Sequence, residues 1–244
     1  MKKAAMVVFF ILFATLSGAE EQITLMTEIF PPYQYYSEDL KLTGISVEII
    51  EAVKKEINSE IPIKEVPWVR GVKITKKKKN NAIFSMLRTP EREKLYKWAG
   101  PLVDLSVIFF KKTGSPIVLN SLEDAKKVGK VGVTRNVANY ELLSAKGFTN
   151  LDVLQNGADE NNIIKLIKGR IDLWASTYFG GLYSAKSLGH AGMIKPITNI
   201  PIFKGQLYLA FNSKTDDTIV NKWQAGLDKV KSNKTFDKII SRYQ

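Results

Sequence analysis

Residues 130–179 read KVGVTRNVANYELLSAKGFTNLDVLQNGADENNIIKLIKGRIDLWASTYF. Three short apolar runs, Lys130–Val133, Leu151–Leu154 and Ile171–Ala175, are separated by helix-period segments over about 137–146 and 159–168, and another begins near 178. Strands of four to six apolar residues alternating with helices of ten or so are the pattern of βαβ units and of mainly parallel sheets.

The same alternation extends to both sides. QITLMTE (22–28) alternates as a strand, and Phe30-Pro31-Pro32-Tyr33 breaks it into a turn. Val47, Ile50, Val53 and Ile57 line one face of a helix over about 45–58. A strand Pro62–Val66, a basic helix over about 69–79 and a buried strand Ala82–Met86 follow. Thr89-Pro90 reads as the N-cap and first helical proline of a short helix over Glu91–Tyr96, with a longer strand over Leu102–Lys111. Past Gly114 the pattern restarts with a helix near 121–127. Downstream, Gln206–Asn212 is a strand; Ile219, Val220, Trp223, Leu227 and Val230 mark an amphipathic helix, and a short helix covers 235–242. The prediction is two α/β lobes with junctions near 110–114 and 203–207: residues 20–110 plus 207–244 in the first lobe, 111–206 in the second.

The chain has 244 residues, 45% apolar and 10% aromatic, with 36 Lys+Arg against 24 Asp+Glu for a formal charge of +12. That apolar content builds a core and excludes disorder over most of the length. The absence of cysteine removes disulfides, thiolate nucleophiles, iron–sulfur clusters and Cys-type zinc sites, and a single histidine, His190, leaves no histidine-rich metal site. No metal and no cofactor are expected. The charge excess admits nucleic acid, a membrane surface or an acidic small ligand as partner.

Met1-Lys2-Lys3, the apolar run Ala4–Leu16 and the small residues Ser17-Gly18-Ala19 before Glu20 have the layout of a secretory signal peptide, with an apolar run too short for a comfortable membrane span. Residues 1–19 are expected to be cleaved on export to the periplasm, leaving 34 basic against 24 acidic residues, net +10. Export argues against a nucleic-acid partner.

Few residues suggest chemistry. His190 lies between Gly189 and Ala191 near a helix end, and the chain has no G-x-S-x-G elbow, so it reads as a surface or cap histidine. Lys76–Lys79 point around more than a helical turn and read as a solvated face. No P-loop or G-x-G-x-x-G supports nucleotide binding. FSMLRTPERE (84–93) is different: a buried strand runs into a loop that opens a helix, so backbone N–H groups and the helix dipole face the space above the strand end. Arg88 and Arg92 flank it, and a guanidinium grips a carboxylate bidentately, each charge-assisted hydrogen bond contributing about 1.5–3 kcal/mol. Spacing alone leaves open that these arginines pair with Glu91, Glu93 or Asp104 on the surface.

Taken in order, Phe30-Pro31-Pro32-Tyr33, Gly44-Ile45-Ser46-Val47-Glu48, Ser85 through Arg92 with Trp98-Ala99-Gly100-Pro101, Val131-Gly132-Val133 and Gly169-Arg170-Ile171-Asp172 resemble the family-3 extracellular solute-binding proteins. These are periplasmic receptors that feed polar amino acids to ABC transporters. The resemblance spans nearly the whole mature chain and implies the type II periplasmic-binding-protein fold, two lobes joined by two crossover strands that close on ligand by hinge motion. It implies a monomeric receptor, not an enzyme, that captures a small polar, carboxylate-bearing solute, an amino acid or related molecule, for an inner-membrane ABC permease. By position, Arg92 matches the arginine of a T-x-x-R segment that clamps the ligand α-carboxylate. Ser85 matches a strand-end residue contacting ligand, and Phe30 or Tyr33 the aromatic wall. Arg135-Asn136-Val137-Ala138 occupy the loop and helix start that complete the carboxylate site. Trp68 and Arg70 are rim or packing residues.

Two departures stand out. Thr177 occupies the position, five after Asp172, where the family commonly has an aspartate for the ligand ammonium, and Leu87 stands where a hydroxyl is usual. A buried ammonium without its counter-charge costs several kcal/mol, so either another acid, with Glu28 the candidate, replaces the aspartate or the ligand lacks an α-amino group. With Arg88 and Arg135 gained, the cleft is expected to be positive and its ligand anionic. Two alternatives stay open: a cyclohexadienyl-dehydratase-like enzyme on the same fold, with Glu28 as proton carrier, and a ligand-sensing or partner-binding envelope module.

Overall fold

The computed structural model describes residues 23–135, 138–155 and 159–244. The segment read as a signal peptide and Asn136 lie outside the described residues.

The first lobe opens with β1 (Thr24–Thr27), a small hairpin of β2 (Tyr35–Tyr36) and β3 (Leu42–Thr43), α1 (Ile45–Glu56), β4 (Ile63–Glu65), α2 (Trp68–Lys77) and β5 (Asn81–Leu87). A 3-10 turn (Glu93–Leu95) leads into the 17-residue strand β6 (Tyr96–Lys112), which runs into the second lobe. There follow α3 (Leu122–Lys126), β7 (Val131–Thr134), α4 (Ala138–Ala145), β8 (Leu151–Leu154), α5 (Asp159–Ile167), β9 (Leu173–Thr177), α6 (Tyr178–Ser187) and β10 (Ile194–Ile197). Strand β11 (Phe203–Asn212) returns to the first lobe, completed by α7 (Asp217–Ser232) and α8 (Thr235–Ser241).

The strands form one continuous path, β4-β1-β5-β11-β6-β9-β7-β8, with β10 also on β6. At each end a trio runs parallel, β4-β1-β5 and β9-β7-β8, as crossover helices require, while β6 and β11 run antiparallel to their neighbours. This is the mixed α/β, two-lobed architecture of type II periplasmic binding proteins.

Local chemistry explains the element ends. Ser121 caps α3 by accepting from Asp124 N at 3.2 Å, and Asp124 Oδ2 accepts from Ser121 N at 2.9 Å, a reciprocal box. Asp216 caps α7 by accepting from Thr218 N at 2.8 Å. The face of α1 carrying Ile49, Ile50 and Val53 is buried in one core with Trp223, Leu227 and Val230 of α7. Burying each of these side chains contributes about 1.5–3 kcal/mol.

Period-2 alternation on β6 serves two cores in the second lobe: Val107 and Phe109 join Val131, Val133 and Leu143 on one face, while Ile108 and Phe110 join Ile163, Leu166 and Trp174 on the other. Val103 of β6 still belongs to the first lobe, so the change of core falls between Val103 and Val107, and on β11 between Phe203 and Leu207. The first is earlier than the junction expected at 110–114. Gly114 marks where β6 ends, whereas an unbroken strand gives no local sign of where its neighbours change.

The segment after β5 is also corrected. Residues 89–92 form a turn, Arg92 rather than Thr89 precedes the three-residue 3-10 helix, and Tyr96 already begins β6, paired with Asn212. Pairing with β11 takes the chain into strand before a helix can extend, so the segment after β5 supplies no α-helix N-terminus.

Candidate functional site

Two turns shape the first-lobe side of the site. Phe30 N donates to Gln34 O at 2.8 Å and Tyr33 N to Phe30 O at 2.8 Å, closing the turn Phe30–Gln34. Gly44 (φ 115°) lets α1 begin against it: an added Cβ would lie 2.6 Å from Tyr33 O. Ile45 N and Ser46 N donate to Pro32 O and Tyr33 O, both at 3.0 Å. Phe30 stacks on Tyr33 with centroids 4.9 Å apart. Phe30 faces the interlobe cleft, whereas Tyr33 is fully buried beneath it in the first-lobe core. Of the two aromatic candidates, Phe30 is therefore the one on the cleft and Tyr33 its support.

Ser85 serves the same turn. The β5–β11 register slips so that three steps on β5 match two on β11, a β-bulge, and Ser85 sits in it with φ 61°. Its Oγ accepts from Nε2 of the fully buried Gln34. Ser85 is not in the cleft lining; it anchors the turn that carries Phe30. Ser85→Ala keeps the left-handed backbone cost and strips the Gln34 amide of its acceptor, and is expected to destabilise by about 1–3 kcal/mol in urea denaturation. Ser85→Gly relaxes φ and is expected to recover part of that loss.

Between the lobes lies a cleft of about 920 Å³, within the size range of small-molecule sites. The first lobe contributes Phe30, Pro31 and Leu87; the crossing strands contribute Leu105, Val107 and Phe203. The second lobe contributes Ala138, Asn139 and Leu142 of α4 and the β9–α6 junction at Ser176, Thr177 and Gly180. Asn139 Nδ2 donates to Ala175 O at 3.1 Å, holding α4 to the end of β9. Thr177 caps α6, its Oγ1 accepting from Gly180 N at 3.1 Å, and a Cβ at Gly180 would sit 2.3 Å from that oxygen.

The remaining candidates are placed elsewhere. Leu87 and Arg88 point to opposite faces of the strand end, as the pleat dictates, so with Leu87 on the cleft Arg88 turns away. Its guanidinium binds the Glu93 carboxylate through Nε at 2.7 Å and Nη2 at 2.5 Å and lies 5.5 and 5.1 Å from the ring centres of Trp98 and Tyr208. This is the surface pairing that spacing had left open. Arg92 is outside the described cleft lining, and its Nη1 donates to Leu87 O at 3.0 Å. Arg135 is exposed just before α4. Trp68, the first residue of α2, packs partly buried against Met26, Ile83 and Met86, and Arg70 is exposed; neither lines the cleft.

Glu28 is half-buried and outside the cleft lining, and among the described residues no cation pairs with it. Desolvation raises its pKa above the ordinary 4.5. The folded chain then binds more protons than the unfolded one from about that value upward, so stability falls as pH rises through the window. Glu28→Gln is expected to raise the melting temperature at pH 7 and to leave it unchanged well below pH 4.5, where both states carry the protonated acid.

Glu141 and Glu160 are the charged side chains of the described lining, both exposed. The expectation of a positive cleft is thus not met there: Arg88 is turned outward and neutralised by Glu93. Sequence reasoning had Leu87 and the start of α4 at the site, but missed the crossing-strand residues and the rest of α4 and α6. A signal existed in Ala138, Leu142 and Ala145, an i, i+4, i+7 stripe on α4 that faces the cleft, with Leu142 also packed on the second-lobe core.

A solute-sized cleft walled by two α/β lobes and crossed by two strands defines the class of type II periplasmic binding proteins. Residues 23–244 match the bacterial extracellular solute-binding proteins, family 3, and the chain belongs to that family. It is 25% identical over 249 residues to the "Arginine-binding periplasmic protein" of Mannheimia haemolytica, covering 100% of this chain and 98% of that one. It is 26% identical to the "L-cystine-binding protein TcyJ" of Escherichia coli (strain K12), covering 64% and 60%. The open substrate-binding domain 2 of Lactococcus lactis GlnP superimposes with a TM-score of 0.75 at 18% identity, covering 92% of this chain and 96% of that one, which establishes the shared fold. These named relatives are binding proteins rather than enzymes. No helix among the described residues is long and apolar enough to cross a membrane.

Proposed function

We propose that the chain is a periplasmic receptor that captures a small carboxylate-bearing solute, an amino acid or a close derivative, and presents it to an inner-membrane ABC permease without chemically altering it. The cleft of about 920 Å³ walled by both lobes carries this reading. A solute touching both walls binds the closed arrangement better than the open one, and that difference in affinity is what closes the lobes. The arginine- and cystine-binding relatives support an amino-acid class of ligand. Residues 1–19 serve as the export signal. Arg92 is the carboxylate arm: one N–H holds the Leu87 carbonyl, leaving the rest of the fork for ligand. Hinge bending is assigned to β6 between Val103 and Val107 and to β11 between Phe203 and Leu207, where the strands change core.

Calorimetric titration of the mature chain with the standard amino acids and small carboxylates, paired with small-angle scattering at saturation, tests the reading. One-to-one binding with a fall in radius of gyration is expected. Absence of binding across the panel, or an unchanged radius at saturation, would overturn it.

A further inference from the structure

The cleft floor is apolar where a receptor for charged side chains needs polar groups. Leu87 and Phe203 meet over Gly205, where an added Cβ would lie 2.6 Å from Leu87 Cδ1 and 2.9 Å from Phe203 Cε1. Leu87 also packs on the first-lobe core and Phe203 on the second, so together they form a continuous apolar surface between the lobes. Leu105 and Val107 extend it along β6, and Leu142 faces the same cleft from α4. The polar side chains of the described lining, among them Asn139, Ser176, Tyr183, Ser184 and Ser187, all come from the second lobe and none from this floor. Leu87 offers no hydrogen-bonding side chain, Thr177 Oγ1 already accepts from Gly180 N at 3.1 Å, and no lysine or arginine enters the described lining. A charged side chain laid on this floor would lose its water, and the lining offers it only the exposed carboxylates Glu141 and Glu160, pairs of the solvated kind that contribute about 0–1 kcal/mol, whereas apolar surface gains from the same burial.

We propose that the solute lays an apolar body on Leu87, Phe203 and Leu142, so that the receptor selects among carboxylate-bearing solutes by hydrophobic surface and not by side-chain charge. This rests on the receptor reading above and narrows its substrate class.

Competitive calorimetry with the mature chain would set leucine, methionine, phenylalanine and their 2-oxo acids against arginine, lysine, glutamate and cystine. The apolar set is expected to bind at least about tenfold more tightly, and Leu87→Ser to weaken its best member about tenfold, since each methylene-sized change in an apolar pocket shifts affinity by roughly that factor or more. Leu142→Ala, on the partly exposed face of α4, is expected to do the same and serves if Leu87→Ser folds poorly. Tightest binding by a solute with a charged side chain, or affinity for the apolar set untouched by both substitutions, overturns the apolar selection while leaving the receptor reading intact. No binding by either set overturns the receptor reading itself, and this inference with it.

Discussion

Phe179→Ala is expected to lower the stability of the chain by about 3–5 kcal/mol, the usual cost of emptying a buried phenylalanine site. Phe179 stands in the first turn of α6, a second-lobe helix, yet it is 7% exposed and belongs to the first-lobe core. Its ring meets Tyr33 edge-on at 6.2 Å and 88°, and Tyr178 at 5.0 Å, contacts that add about 0.5–1.5 kcal/mol each. It is the wedge by which the second lobe is seated in the first. Equilibrium urea denaturation reads the loss, and hydrogen exchange reads its location. In the variant, amides of β1 and β5 are expected to lose protection relative to those of β7 and β8, because the cavity opens on the first-lobe side. A loss under about 1 kcal/mol would show that the first lobe closes over the site without this ring.

Arg92→Ala is expected to weaken ligand binding by about 30-fold or more. Truncating one member of a desolvated, hydrogen-bonded charge pair costs about 2–5 kcal/mol, and 1.4 kcal/mol is a factor of ten. Its effect on melting temperature is expected to be small, since among the described residues its side-chain hydrogen bond runs to the Leu87 carbonyl. Arg88→Ala is the control. That side chain is spent on Glu93, with 37% of its own surface exposed, and exposed pairs contribute about 0–1 kcal/mol. Affinity is expected to stay within twofold. Calorimetry on the two variants separates the roles: an unchanged affinity in Arg92→Ala removes the carboxylate arm from the proposal.

How much of this was legible differs by residue. Leu151–Leu154 and the helix beginning at Tyr178 were read to the residue, and α1 and α7 to within a few, since each carries its own burial period. The helix expected over Glu91–Tyr96 was not there, because a capping proline is a local signal and the competing β6–β11 pairing is a distant one. Within the site, Phe30 and Thr177 line the cleft. Arg88 and Arg92 looked alike in sequence and are separated only by the direction each takes from the end of β5. Ser85 was read as a ligand contact, but the bulge turns it toward Gln34, and a one-residue register slip leaves no mark in composition or spacing.

By itself the sequence determined the kinds and order of most elements, the two-lobed α/β class and the family, because periods of 2.0 and 3.6 residues and the turn chemistry between them are properties of neighbouring residues; the short strands β2, β3 and β10 carry too little period to be read. Only the tertiary structure decided which side chains share the cleft, where β6 and β11 change core, and that Phe179 of one lobe is buried in the other. Those depend on register, bulges and the packing of segments far apart in the chain, and the charge of the cleft follows from them and not from the +12 of the whole molecule.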